Sequence, residues 1–539
     1  EEVERELEEE VRLHVELEAE ELVRGGMSPA EASREALRRF GGVERTKERV
    51  RDERGGRIVD DLLQDLRYGL RTLRKSPRFA VAVLLTLGLG IGANTAIFTV
   101  VDGVLLRPLP FEASDRLVYL TRPGEVEADV SLPDVRDWRA ETSTLESVGL
   151  YMSRWALDLT GWGTPERLEA QLAEPELFEV YGAPPVAGRY FDEAESRPGA
   201  DPVVVLSEDF WQRRFGGDPD LPGRTLTLND RPFTVVGVAP RELDVFRTGV
   251  DAWVPAAVEA PWAVDERGTN NFNAVGRLAA GATLDQARAE MRALSLRLAE
   301  AHPRTNTGKI AEPVPLRDFL VADARPALLL LLGAVGLVLL IACVNLASLL
   351  LVRATRRDAE LAVRRALGGS RGRIARQLLW ESGLLALGGG AMGILLSRAG
   401  TEALLALAPQ GLPRADVVTI DGGVLAFALA LVAGTTLLCG LVPALYSARR
   451  DPASVLQSER RGATSGRGHQ RFLDGLVVSE ITLALVLLVG AGLLMQSYRN
   501  LRGVDLGFEP AGRVALNLTL PESEYGRVDP QNRFFHGAI

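Results

Sequence analysis

Three stretches of this chain, 79–101, 326–352 and 422–448, contain no charged residue, and that constrains the fold more than anything else in it. A hydrocarbon core about 30 Å thick is crossed by about 20 apolar helical residues, and each stretch is long enough. Helices buried in a large soluble core would carry an amphipathic stripe. Here a run such as Leu328-Leu329-Leu330-Leu331-Leu332 is apolar all round. Two further runs are shorter. Residues 382–397 extend back through 378–381, and 481–498 are preceded by Leu476-Val477-Val478-Ser479-Glu480. Five membrane spans are expected. The first apolar run begins near residue 79, too late and with the wrong flank for a signal peptide.

The rest of the composition excludes several function classes. A net charge of −10 argues against a nucleic-acid partner, which would need a basic surface. The two cysteines, Cys343 and Cys439, sit in apolar runs and cannot build a disulfide framework or a four-ligand zinc site. The four histidines are scattered without metal spacing. Six of the seven Trp lie between Trp138 and Trp262, which marks a separately built domain. Residue 1 is Glu rather than Met, and the chain reads as a piece of a longer protein, cut at both ends.

Orientation follows from Lys and Arg beside the spans. Arg67, Arg71, Arg74, Lys75 and Arg78 precede the first span. Arg353, Arg356, Arg357, Arg364, Arg365, Arg371, Arg373 and Arg376 follow the second, and Arg449, Arg450, Arg460, Arg461, Arg467 and Arg471 follow the fourth. Between the third and fourth lie only Arg398 and Arg414. The N-terminus is therefore expected in the cytoplasm, with 106–324 and the tail after Tyr498 outside.

The fold class that results is an α-helical membrane protein with an inserted extracytoplasmic α/β domain and an N-terminal cytoplasmic helical module. The expected division is a prefix (1–58), span 1 (79–105), the outer domain (106–324), span 2 (326–352), a cytoplasmic connection (353–377), span 3 (378–397), span 4 (422–448), a cytoplasmic linker (449–473), span 5 (475–498) and the start of a second outer domain (499–539). In the prefix, Gly25-Gly26 ends one helix and Ser28-Pro29 with Glu31 opens another. In the outer domain, 202–206 (PVVVL) and 233–238 (FTVVGV) read as strands. Residues 225–228 alternate before an Asn229-Asp230 turn. Over 284–299, Ala287, Met291, Leu294 and Leu298 recur at helical spacing. No phosphate loop, nucleophile elbow or metal cluster is present.

The connection 353–377 is the most organised of the expected cytoplasmic loops. Residues 358–367 read as a short helix with Glu360, Arg364 and Arg365 exposed and Leu361, Val363 and Leu367 on its other faces. Gly368-Gly369 breaks it, and Ser370 caps the helix that runs into the third span. Anchoring to anionic lipid accounts for the charge. Docking of a partner also accounts for the helix–Gly-Gly–helix construction. Within the spans, Asn94 and Asn345 should face other helices, and Gly388-Gly389-Gly390 with Gly393 allow close backbone approach.

These residues resemble the MacB/FtsX-like permeases of ABC transporters over most of the chain. Residues 357–370 (RDAELAVRRALGGS) with 377–382 (QLLWES) resemble the family's coupling helix and the start of its third span. Residues 443–452 are similar to its fourth-span exit, and 341–347 (IACVNLA) to its second span. Outer-domain segments 188–191 (GRYF), 206–211 (LSEDFW) and 236–240 (VGVAP) are similar to the MacB-like core domain. The resemblance implies a permease without an ATPase domain of its own. A separate ABC ATPase would grip Glu360, Arg364, Arg365, Leu367, Gly368 and Ser370. It also implies an inner-membrane location in a bacterium, no cofactor beyond the ATP used by the partner, and a periplasmic adaptor or outer-membrane channel as further partners. The helical prefix, and the weak echo of 109–118 in 506–515, look like the acidobacterial duplicated orphan permeases. Efflux of a small molecule or peptide and lipoprotein extrusion are the expected activities. The rival within the resemblance is FtsX-like signalling to a cell-wall hydrolase. A membrane-bound enzyme is disfavoured, since no nucleophile, base and orienting group converge.

Overall fold

The computed structural model describes residues 76–122, 130–355, 371–407, 418–449 and 467–503, with Arg71, Arg74, Arg414 and parts of 16–36. They fall into two compact units. One comprises Glu1–Thr95, Val335–Ser397 and Leu425–Val489, and the other Ala96–Ala334, Arg398–Val424 and Gly490–Ile539.

The first apolar helix, α1 (Pro77–Val101), continues into a π turn at Asp102–Leu106 closed by the Arg107 amide on the Asp102 carbonyl. A ten-stranded mixed sheet follows: β1 (Leu117–Thr121), β2 (Leu145–Thr160), β3 (Glu166–Ala173), β4 (Ala187–Gly188), β5 (Val203–Ser207), β6 (Thr225–Leu228), β7 (Arg231–Ala239), β8 (Ala252–Pro255), β9 (Asn273–Leu278) and β10 (Glu312–Pro315). Strand order is β10-β1-β9-β2-β3-β8-β5-β7-β4, with β6 pairing β2 and β7. Among the described residues, only the β3–β8 and β5–β7 pairs run parallel. Apart from two four-residue helical turns, Ala256–Glu259 and Pro303–Asn306, the helices packed with this sheet are α2 (Leu132–Glu141), α3 (Glu176–Tyr181), α4 (Glu208–Phe215), α5 (Leu284–Ala301) and α6 (Leu316–Val321).

Local sequence explains the elements it marked. Residues 202–206 fall in β5 and 233–238 in β7. β6 ends in Asn229 and Asp230 with φ of 47° and 60°, the left-handed pair that a two-residue hairpin turn requires and that Asn and Asp tolerate best after Gly. Thr283 and Gln286 form a reciprocal capping box at the start of α5, whose Ala287, Met291, Leu294 and Leu298 are buried. At the centre of the sheet Trp253 is fully buried, and its indole Nε1 donates to Gln171 Oε1 at 3.0 Å. The pair sits in register across β3 and β8, so the indole N–H enters the core already satisfied.

After α6 the chain forms α7 (Ala324–Thr355), α8 (Arg371–Leu407), α9 (Gly422–Arg449) and α10 (Arg467–Arg502). Among the described residues, five helical segments are long and apolar enough to cross a membrane: Pro77–Leu106, Ala324–Arg353, Leu379–Ala406, Gly422–Gly440 and Asp474–Asn500. α8 runs ten residues past Ser397, where the sequence placed the end of the third apolar run. Arg398 and Glu402 pair at 3.4 Å across one turn, so the first charges continue the helix instead of stopping it.

Candidate functional site

The residues singled out for coupling, Glu360, Arg364, Arg365, Leu367, Gly368 and Ser370, lie outside the described residues. The helices on either side are described. Near the end of α7, Arg353 donates through Nη2 to Ser76 Oγ at 3.0 Å and lies over the Phe79 ring at 4.8 Å. The basic end of α7 is thereby tied to the start of α1. On α8, Glu381 and Ser382 of the segment 377–382 are buried.

The polar residues of the spans behave differently from each other. Asn94 is buried, and its Nδ2 donates both to Gly90 O on its own helix and to Val335 O on α7, each at 2.8 Å. Such a cross-helix bond satisfies a side chain for which hydrocarbon offers no partner. Asn345 is half-buried on α7. Close approach of α1 and α8 is set by glycines. A Cβ on Gly92 would lie 2.9 Å from Gly393 O, and one on Gly393 would lie 2.9 Å from Gly92 N and 3.1 Å from Gly88 O. The glycines 389 and 393 therefore meet a matching small-residue face on α1, residues 88 and 92. The spacing Gly88-x-x-x-Gly92 is the signal in the sequence for that face.

At the other end of α1 a second cluster forms around the turn that leads into the sheet domain. Arg107 Nε donates to Asp102 Oδ2 at 3.1 Å, its Nη1 to Thr419 Oγ1 at 3.0 Å, and its Nη2 to Thr419 O at 3.2 Å and Asp421 Oδ2 at 2.6 Å. Asp421 also caps α9, accepting the Val424 amide at 3.0 Å. The Val424 amide and the Arg107 guanidinium hold its carboxyl below the usual carboxylate range. In return, Arg414 reaches from the α8–α9 connection to the carbonyl oxygens of Arg107 at 2.6 Å and Pro108 at 2.7 Å. Arg414 is only 4% exposed, and its backbone adopts φ 60°. A buried guanidinium is tolerable only when its donors are used. Val418 packs on the same turn, 3.1 Å from where a Cβ on Gly103 would stand, and α6 contacts it as well. Arg414 figured in the sequence only as one of two basic residues in a loop poor in them. Asp421 before Gly422-Gly423 was a readable helix cap.

The sheet domain holds ion pairs of a structural kind. Arg139 bridges Glu174 at 2.6 Å and Glu176 at 3.0 Å, and burial raises the Glu174 carboxyl. A cavity beside Asp134, Trp138, Asn306 and Lys309 offers about 20 Å³ to a water-sized sphere, room for about one water. Among the described residues no group of three or more His, Cys, Asp or Glu could hold a metal.

Known families account for this arrangement. The MacB-like periplasmic core domain matches residues 80–294, and the FtsX-like permease C-terminal domain matches 332–452. The chain is 29% identical over 296 residues to the pyoverdine export ATP-binding/permease protein PvdT of Pseudomonas syringae pv. tomato, covering 52% of this chain and 41% of that protein. It is 26% identical over 411 residues to the macrolide export ATP-binding/permease protein MacB of Rhodospirillum rubrum, covering 73% and 60%. The chain thus spans less than two thirds of the length of these relatives. The periplasmic region of MacB from Actinobacillus actinomycetemcomitans aligns at 16% identity and a TM-score of 0.29, over 38% of this chain and 89% of that one. An inserted sheet domain flanked by apolar helices, with both family segments in this order, places the chain among the MacB/FtsX-like permeases of ABC transporters.

Proposed function

We propose that this chain is the permease subunit of an ABC exporter, driven by a separate ATPase and working through movement of its extracytoplasmic domain. The observation that carries the reading is the order of the two matched segments. The periplasmic-core match begins within α1 and runs on through the sheet domain, and the FtsX-like match begins in α7 and contains the Arg-rich connection. In this reading the five apolar helices are spans, the N-terminus and the connections after α7 and α9 are cytoplasmic, and the membrane is the bacterial inner one. Glu360, Arg364, Arg365, Leu367, Gly368 and Ser370 form the docking surface for the ATPase, which alone handles ATP. The relatives' names point to small-molecule export. A peptide or lipoprotein cargo, and a periplasmic adaptor or outer-membrane channel as further partners, belong to the same proposal. So does a place among the duplicated orphan permeases, supported by α10 and the echo that follows it.

The FtsX-like match supports a second reading, transmembrane signalling to a cell-wall hydrolase. Purification of the chain from its native membrane separates the two. A copurifying ABC ATPase whose hydrolysis responds to the permease, together with an outer-membrane channel, supports export. A copurifying hydrolase in place of the channel moves the assignment to signalling. Recovery of no ATPase at all overturns both.

A further inference from the structure

The cluster at the root of the sheet domain is built unlike an ordinary surface contact. Two arginines cross it in opposite directions. Arg107, where α1 gives way to the sheet domain, reaches Thr419 and Asp421. Arg414, from the α8–α9 connection, reaches back to the carbonyls of Arg107 and Pro108. Asp421 is at once the ion-pair partner of Arg107 and the cap of α9. The first turn of α9 is therefore bonded directly to the turn leaving α1, although the two lie 314 residues apart in sequence. Beneath the charges, Val418 packs against Gly103.

The hinge-like element at this point is the π turn Asp102–Leu106. Single π turns inside helices are unusual and commonly mark functional positions. Left free, such a turn would let α1 bend without moving the start of α9. The arginine pair removes that freedom. Arg107 holds the turn from within through Asp102 and from without through Asp421, and Arg414 occupies carbonyls just beyond it.

We propose that Arg107, Arg414 and Asp421 are positioning residues that lock the start of α9 to the root of the sheet domain, so that a displacement of the fourth apolar helix is delivered to that domain as directly as one of the first. This rests on the export reading for its purpose, while the lock itself can be measured without it.

The test uses the full chain in lipid nanodiscs, spin-labelled at Gly422→Cys and Asp285→Cys, and reads the width of the inter-label distance distribution. The native cysteines are buried and stay unlabelled. Arg107→Ala with Arg414→Ala is expected to at least double the width. Asp421→Asn keeps a helix cap but loses the ion pair, and should widen it less. Adding Gly103→Cys with Val418→Cys to the arginine variant, with those two residues oxidised to a disulfide before labelling, should restore the narrow distribution, and reduction should widen it again. An unchanged width in a folded arginine variant overturns the lock. If that variant does not fold, Asp421→Asn decides alone, and no widening there overturns it. In the second arm the copurified ATPase is added. Hydrolysis should continue in the arginine variant while the ATP-dependent shift in label distance is lost. Wild-type protein that keeps a narrow width but binds no ATPase would defeat the export reading and leave the lock standing.

Discussion

Gly92 and Gly393 stand so close that a Cβ on the first would sit 2.9 Å from the carbonyl oxygen of the second. Contact at that range leaves no room for a side chain on either helix. Gly393→Ala should therefore destabilise the helical unit by about 1–3 kcal/mol through overpacking. Gly434→Ala, where nothing lies within 4 Å of the new methyl, should not. Melting midpoints of the two variants in one detergent check this. Equal midpoints would remove the glycine contact as a determinant of packing.

Glu290 joins α5 to the turn before β2. Its carboxylate accepts from Thr142 Oγ1, from both the amide and hydroxyl of Ser143, and from the amide and hydroxyl of Thr144. Burial pushes its carboxyl upward, and the hydrogen bonds from Thr144 and Ser143 overcome this and hold it at about 2. The value is depressed in the fold, so the stabilisation is whole above the unfolded value of about 4.3 and is lost as pH falls toward 2. Glu290→Gln should cost about 1 kcal/mol at neutral pH once solvent screening is allowed for. For a domain of this size that is a fall of about 2–4 °C in Tm. The difference from the parent should shrink below pH 4, and a gap that persists unchanged to pH 2 would show that the charge is not what matters.

The segment 106–324 is the host for that measurement, because it should fold alone. β1 pairs with β10 over Val118–Thr121 and Glu312–Pro315, so the two ends of the segment close the same sheet. Soluble protein with a cooperative melt and a tryptophan emission that shifts to the red on unfolding is expected in buffer without detergent. Aggregation across several choices of boundary would count against it.

Reversing both charges in Arg364→Glu/Arg365→Glu should abolish pull-down of the ATPase while leaving expression and melting temperature unchanged. Exposed charges contribute within about ±0.5 kcal/mol to folding, whereas like-charge contact in an interface costs several. If these arginines only bind lipid, at about 1 kcal/mol each, ATPase binding survives.

Orientation is checked with introduced cysteines. Sites at Arg371 and at Asp209, an exposed position on α4, should react with a membrane-impermeant reagent from opposite faces of sealed vesicles. Labelling of both from one face would invert the orientation argued from arginine placement.

Three of the apolar helices were legible because lack of charge over more than twenty residues needs no tertiary context to interpret. β5, β6, β7 and α5 were legible for a related reason: in each, local propensity, turn chemistry and burial agree. β3 was not. Its sequence, ERLEAQLA, is made of helix formers, and it is a strand because β2 and β8 flank it on either side. The cluster at Arg107 was hidden for another reason. Its partners come from 102 and from 414–421, and no local pattern in a sequence announces a pairing across three hundred residues. Gly88 and Gly92 share the first span with Gly90, and spacing alone does not tell which of these glycines faces a partner helix.

The pairing of β1 with β10 has a mechanical side. The strands run antiparallel, with Val118 opposite Pro315, so the chain enters and leaves the sheet at the same end of one ladder. Drawing the two attachment points apart would load that ladder one rung at a time from its open end, the weakest way to load it. Moving them in the same direction would put no differential load on the four pairs. The sheet domain is thus suited to being tilted or carried as a rigid body by its two stems, and poorly suited to being pried open between them.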